Sequence, residues 1–177
     1  MSRLTQISDA DASPDAANLF SAIKSKVGVV PNLYRVMANE PAVLAAALNF
    51  GDTLSEGSFD QKTREAIALA VAGANSCDYC ASAHSAISKS LKVDNAEITA
   101  RLHGKSAEPK LQAILHFALA VVEKRGLVSD ADLAAAREAG LTQGEIVETV
   151  AVTVANILTN YINHVAQTDI DFPVVHD

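Results

Sequence analysis

Apolar residues recur at intervals of three and four along almost all of this 177-residue chain. Alternation by two, the mark of a half-buried strand, hardly occurs. Alanine and leucine are abundant, and both favour helix. The pattern predicts an all-α fold. With 49% apolar residues, the chain is long enough for one well-packed helical bundle and too short for two comfortable domains. Residues 1–177 are therefore read as a single domain.

Punctuation signals divide the chain. Ser13 followed by Pro14 reads as an N-cap with proline at the first helical position, and Gly28 stops the helix that carries Leu19, Phe20 and Ile23. Pro31 and Pro41 break the next stretch into short pieces. Ser58 with Gln61, Asp94 with Glu97, and Thr142 with Glu145 each have the spacing of a capping box, in which two side chains satisfy orphan amide donors reciprocally. The spacing predicts helices over 14–26, 42–55, 60–74, 76–91, 94–103, 108–125, 130–139 and 143–166, with an extended tail after them.

Charge and hydropathy exclude several functions. A net charge of −7 supplies no basic stripe to displace counterions from a phosphate backbone, so no nucleic acid partner is expected. The first fifteen residues are polar and acidic, without the apolar core of a secretory signal. The longest apolar runs, such as 113–122, fall far below bilayer length. No membrane partner and a cytoplasmic location are expected.

The chemistry concentrates between Glu65 and His84, where the core of the domain, about residues 58–91, holds Cys77 and Cys80, the only two cysteines. In an intracellular chain such a pair is seldom a structural staple, because thiols are kept reduced there and a disulfide is usually transient or catalytic. Residues three, four and seven apart share one helix face, so Cys77, Cys80 and His84 are expected to line up. With Asn75 or Ser76 as N-cap, Cys77 falls in the first turn, where free amide donors and the helix dipole favour a thiolate. An ordinary cysteine, with a pKa of about 8.5, gains reactivity as that value falls toward ambient pH. Glu65 lies on the preceding helix, and a return through residues 73–75 brings its carboxylate toward His84 or a sulfur.

This set suits a two-electron thiol cycle: one thiolate attacks an electrophilic oxygen, becomes a sulfenic acid, and the neighbouring thiol closes a disulfide. A peroxide is the natural oxidant. Exchange with another protein's disulfide, as in thioredoxin-like proteins, needs the motif at a strand-to-helix junction, and no βαβ pattern is present. The same residues could also ligate zinc, although structural zinc sites draw ligands from separate turns rather than one helix face. Buried, inert cysteines are the blandest alternative. His103 ends a helix and interacts with its dipole. His116 reads as a core or interface residue within an apolar run, and His176 as solvated tail. Asn156, Asn160 and His164 form a polar stripe on the last helix that either lines the pocket or, the favoured reading, meets partners across a subunit interface. Tyr34 and Tyr161 are ambiguous.

Glu65, eleven residues, Cys77, two, Cys80, three, His84 is a pattern that resembles the alkylhydroperoxidase D-like branch of the carboxymuconolactone decarboxylase superfamily. Residues 28–32, Arg64 with Glu65, residues 139–142 and residues 169–173 also look like peroxidase-related members. The resemblance implies an all-helical fold, homo-oligomers of three or six subunits, and no metal or organic cofactor. It further implies that Cys80 is the peroxidatic thiol and Cys77 the more exposed resolving thiol that meets the reductant. His84 and Glu65 would form the proton relay. The implied partners are a hydroperoxide substrate and an external dithiol reductant, such as a lipoyl-bearing protein. One position departs: where the best-studied pattern has histidine before the second cysteine, this chain has Tyr79, able to donate a hydrogen bond to sulfur or peroxide but a poor base with a reference pKa of about 10. Competing classes are a decarboxylase-like lyase, which needs no redox pair, and a non-catalytic oligomeric helical protein.

Overall fold

The stretch from Ala66 to Gly73 is buried residue by residue and forms the centre of the molecule. A computed structural model describes residues 2–175, and among these it contains nine helices and no strand. They are α1 (Pro14–Val27), α2 (Asn32–Met37), α3 (Pro41–Leu54), α4 (Gln61–Ala74), α5 (Asp78–Ser90), α6 (Asn95–Leu102), α7 (Pro109–Glu123), α8 (Asp130–Glu138) and α9 (Gln143–Ala166). Helix α4 packs against α5, α6, α7 and α9. Its Leu69 and Ala72 join one core with Phe20, Ile23, Leu33 and Leu44. Its Ala66, Ile67, Ala70 and Val71 join a second with Ile114, Leu115, Phe117 and Val121. A helix apolar all round is a buried helix, and the alanines let its neighbours approach closely. Full burial of a side chain such as Leu69 or Leu115 contributes about 1.5–3 kcal/mol.

The helix ends largely follow the expected punctuation. The Ser13 side chain accepts from the Ala16 amide, and Gly28 closes α1 at φ 86°, a left-handed conformation suited to glycine. Thr142 and Glu145 form a full capping box. The expected box at Ser58 does not form. Asp60 caps α4 instead, accepting from Thr63 N–H at 2.8 Å. The amides of Ser58 and Phe59 donate to the buried carboxylate of Glu148 at 2.7 and 3.0 Å. That carboxylate presses on Gly57, where an added Cβ would lie 2.3 Å from its Oε1. Asp94 caps α6, but Glu97 pairs with Arg101 at 2.8 Å rather than completing a box. A box absent from the sequence reading joins Ser129 and Asp132 at the start of α8. Helix α2 was likewise not anticipated, since six residues behind Pro31 are too few to display a helical period.

Residues 167–175 form no regular element and strap the outside of α5. Phe172 packs edge-on against Tyr79, with ring centroids 5.7 Å apart, and the Val175 amide donates to Ser82 at 2.9 Å. His176 lies outside the described residues. No helix among the described residues is long and apolar enough to cross a membrane.

Candidate active site

The turn between α4 and α5 sets the register of the two thiols. Ser76 takes φ 51°, the Ser76 amide donates to Gly73 O at 2.9 Å, and the Cys77 amide reaches back to Ala72 O at 2.9 Å. This is the paired closure that ends many helices, with serine at the position glycine usually fills. It makes Cys77 itself the N-cap of α5. Cys77 was expected one or two residues past the cap, in the first turn. The structure instead puts Cys80 in the first turn, three residues past the cap, where the free amides and positive end of the helix dipole favour an anion.

Glu65 and His84 meet as expected. His84 Nδ1 lies 2.8 Å from Glu65 Oε2, with side chains 21% and 13% exposed. Nδ1 is thereby the protonated nitrogen facing the carboxylate, which fixes the ring orientation. Cys77 and Cys80 are both free thiols and both buried, at 2% and 3% exposure. The expectation that Cys77 is the more exposed is not met, since the two thiols are buried to the same degree.

The opposite wall comes from α9 and is made of amides. Asn163 Nδ2 donates to Cys80 Sγ at 3.3 Å. Asn160 is completely buried, and its Oδ1 accepts from Asn75 Nδ2 at 2.8 Å. Asn156 donates through Nδ2 to Val152 O at 2.8 Å, and its side chain favours the charged form of His84. Asn156 and Asn160 therefore face the thiol site, while His164 is exposed on the same helix. Asn163 escaped sequence reading. Its only signal was a position three residues past Asn160, on the same helix face.

Charge at the site is polarised. A hydrogen bond from the Cys77 thiol lowers the Cys80 pKa to about 7 against the cost of burial, helped by the His84 charge and by Asn163 and Asn160. The same hydrogen bond and its own burial push Cys77 far up. Burial pulls His84 down, but the charge and hydrogen bond of Glu65, with smaller help from Cys80 and Asn156, leave it above an ordinary imidazole. The arrangement favours a thiolate on Cys80 and a proton on His84.

Tyr79 takes no part in this network. Its hydroxyl accepts from the Leu33 amide at 3.1 Å and donates to Asp171 Oδ1 at 2.8 Å, while Asp171 Oδ2 accepts from the Asn32 amide at 2.8 Å. Burial raises its pKa well above that of a free phenol. The expected donation from Tyr79 to sulfur or peroxide is therefore replaced by a clamp joining α2, α5 and the strap. His116 is exposed on α7, not a core residue, and His103 caps the end of α6. Among the described residues no three of His, Cys, Asp and Glu converge to hold a metal ion. Glu65 is directed to His84 rather than to a sulfur-ligated centre. A cavity of about 320 Å³ opens beside Cys77, between the start of α5 and the end of α9, with Asp78, Asn163, His164 and Thr168 in its wall.

This helical fold is shared with known proteins. Residues 41–124 match the carboxymuconolactone decarboxylase family model. A protein described as an alkylhydroperoxidase AhpD core, peroxidase-related, from Ralstonia eutropha JMP134 superposes with a TM-score of 0.86 at 27% identity, over 96% of this chain and 92% of that one. A peroxidase-related protein from Silicibacter sp. TM1040 gives 0.82 at 22% identity, over 94% and 89%. The debrominase Bmp8, solved with 2,3,4-tribromopyrrole, gives 0.80 at 19% identity, over 96% and 92%. Among curated proteins none matches the sequence. The likeness over the whole chain and the family match over residues 41–124 make the chain AhpD-like in fold.

Proposed function

We propose that the protein is a thiol peroxidase that reduces hydroperoxides with its Cys77 and Cys80 pair. The observation that carries this reading is the polarisation of the site: a thiolate-favouring sulfur on Cys80 beside a protonated His84 backed by Glu65 at 2.8 Å. The Cys80 thiolate attacks the distal oxygen of ROOH, the S–O bond forms as the O–O bond breaks, and the alkoxide leaves with a proton from His84. The Cys77 thiol gives its proton to the relay, its sulfur attacks the sulfenic sulfur, and the S–S bond forms as hydroxide departs as water. An external dithiol, such as that of a lipoyl-bearing protein, then reduces the disulfide through the cavity at Cys77, and no metal or organic cofactor takes part. A decarboxylase-like lyase would have no use for a thiolate and a resolving thiol held together.

Assembly as a homo-oligomer, a trimer or hexamer working in the cytoplasm, belongs to the same proposal. Its support is a stripe of exposed apolar side chains on α9, including Val147, Val150, Val154, Leu158, Tyr161 and Val165, spaced by three and four, with Val43 and Phe50 exposed on α3. Such a stripe gains stability when a second copy covers it. Light scattering gives the subunit number.

The functional test counts free thiols by mass-resolved alkylation of reduced, metal-free protein, before and after one equivalent of hydroperoxide. Loss of both thiols to an intramolecular Cys77–Cys80 disulfide is expected. Persistence of both overturns the peroxidase reading, and the same assay with a bromopyrrole as oxidant separates a debrominase from an inert pair.

A further inference from the structure

Cys80 faces two unlike walls. The titratable groups around its sulfur are Cys77 and His84 of α5, with Glu65 of α4 behind the imidazole and the Tyr79 phenol at the edge. Helix α9 turns no charge toward the sulfur, only the amides of Asn163 and Asn160. Asn163 Nδ2 is on the sulfur at 3.3 Å. Asn160 is held the right way round, because Asn75 Nδ2 donates to its Oδ1 at 2.8 Å, and its own Nδ2 is left buried without a hydrogen-bond partner. A buried N–H donor without a partner is unfavourable unless an acceptor arrives in some state of the protein. The nearest candidate for a strong acceptor is an anionic sulfur.

We propose that Asn163 and Asn160 form a neutral two-amide clamp that holds the negative charge of Cys80, with Asn75 as the positioning residue that aims Asn160. Two N–H donors in a buried site stabilise an anion without adding a positive charge that would bind it irreversibly. The clamp fills the role left empty by Tyr79, whose hydroxyl is committed to Leu33 and Asp171. It extends the redox reading of the site but is a statement about thiolate formation alone, and holds or fails without reference to any peroxide.

The test is the pH dependence of Cys80 alkylation in a Cys77→Ser background, followed by mass spectrometry, so that one thiol reports. Asn163→Leu, which keeps the buried volume, is expected to lower the rate at pH 6 about tenfold, as a shift of one pKa unit would at a pH below both values. The rate at pH 10, where the thiol is ionised in all variants, should be unchanged. Asn160→Leu and Asn75→Ala should give smaller shifts in the same direction. Asn163→Ser, smaller and still able to donate, is expected to recover part of the shift and serves where the leucine variant does not fold. Profiles for the asparagine variants that superpose on the parent's overturn the clamp. A parent that shows the shifted thiolate yet consumes no hydroperoxide would end the peroxidase reading while leaving the clamp standing.

Discussion

The two helices that enclose Cys80 do different kinds of work. Helix α5, with Glu65 of α4 behind it, presents groups whose charge changes: two thiols and an imidazole. Helix α9 presents Asn156, Asn160 and Asn163, which hydrogen-bond but never titrate. The contrast teaches that a reactive thiolate needs both a place to exchange protons and a fixed set of donors that stay put as protons move. A second pair of carboxylates makes the same point. Glu65 is paired with an imidazole, which the proposed relay requires. Glu148, equally enclosed, accepts only backbone amides, from Ser58 and Phe59, and serves to close a turn. Burial alone does not set what a carboxylate can do; its partner does.

The sharpest break of this contrast is on the titrating side. Cys80→Ser should abolish hydroperoxide consumption, whereas Cys77→Ser should leave a sulfenic acid at Cys80 that a dimedone-type reagent traps. Trapping at Cys77 in the Cys80 variant would reverse the assignment. Next in size, Glu65→Gln should slow the oxidation step about a hundredfold while the helical circular dichroism persists, because the imidazole loses the group that keeps it protonated. An unchanged stopped-flow rate would remove Glu65 from the relay.

The pH dependence sharpens the comparison further. The oxidation rate should rise as Cys80 ionises near pH 7 and fall where His84 loses its proton, giving a bell whose alkaline limb moves to lower pH in Glu65→Gln. Stability should follow the same pair. His84 has a folded pKa raised above the unfolded value of about 6.5, so its contribution is full below that pH and is lost as pH rises through the raised value. The difference in unfolding free energy between the parent and Glu65→Gln, read from urea titrations, should be about 1–3 kcal/mol on the acid side of that window and shrink above it. A difference that grows with pH would contradict the pairing.

The smallest effect concerns the clamp outside the site. Tyr79→Phe strips the hydroxyl that bridges Leu33 and Asp171, and should cost about 1–3 kcal/mol of stability while leaving the alkylation rate of Cys80 near that of the parent. A large loss of thiol reactivity without loss of stability would return Tyr79 to the chemistry.

Much of this was legible in the order of the residues. The fold class, the centre at α4, the limits of α9 and the meeting of Glu65 with His84 follow from helical periodicity, capping residues and spacing within one short segment. Local rules govern all of these. Some local signals were read wrongly. The Ser58 amide goes to Glu148, ninety positions away, so Asp60 takes over the cap. His116 sits in an apolar run yet faces solvent, since a helix has an outer face whatever its neighbours.

The sequence by itself determined that this chain is helical and that its two thiols, an imidazole and a carboxylate share one locality, because hydrogen bonds and side-chain register along a helix are set by residues a few positions apart. Only the tertiary structure decided which sulfur holds the charge. That preference rests first on the hydrogen bond from Cys77, then on the His84 charge and on Asn163, 83 positions from Cys80. Desolvation and hydrogen-bond direction at a buried sulfur are set by whatever the packed chain brings against it, and no local pattern encodes them.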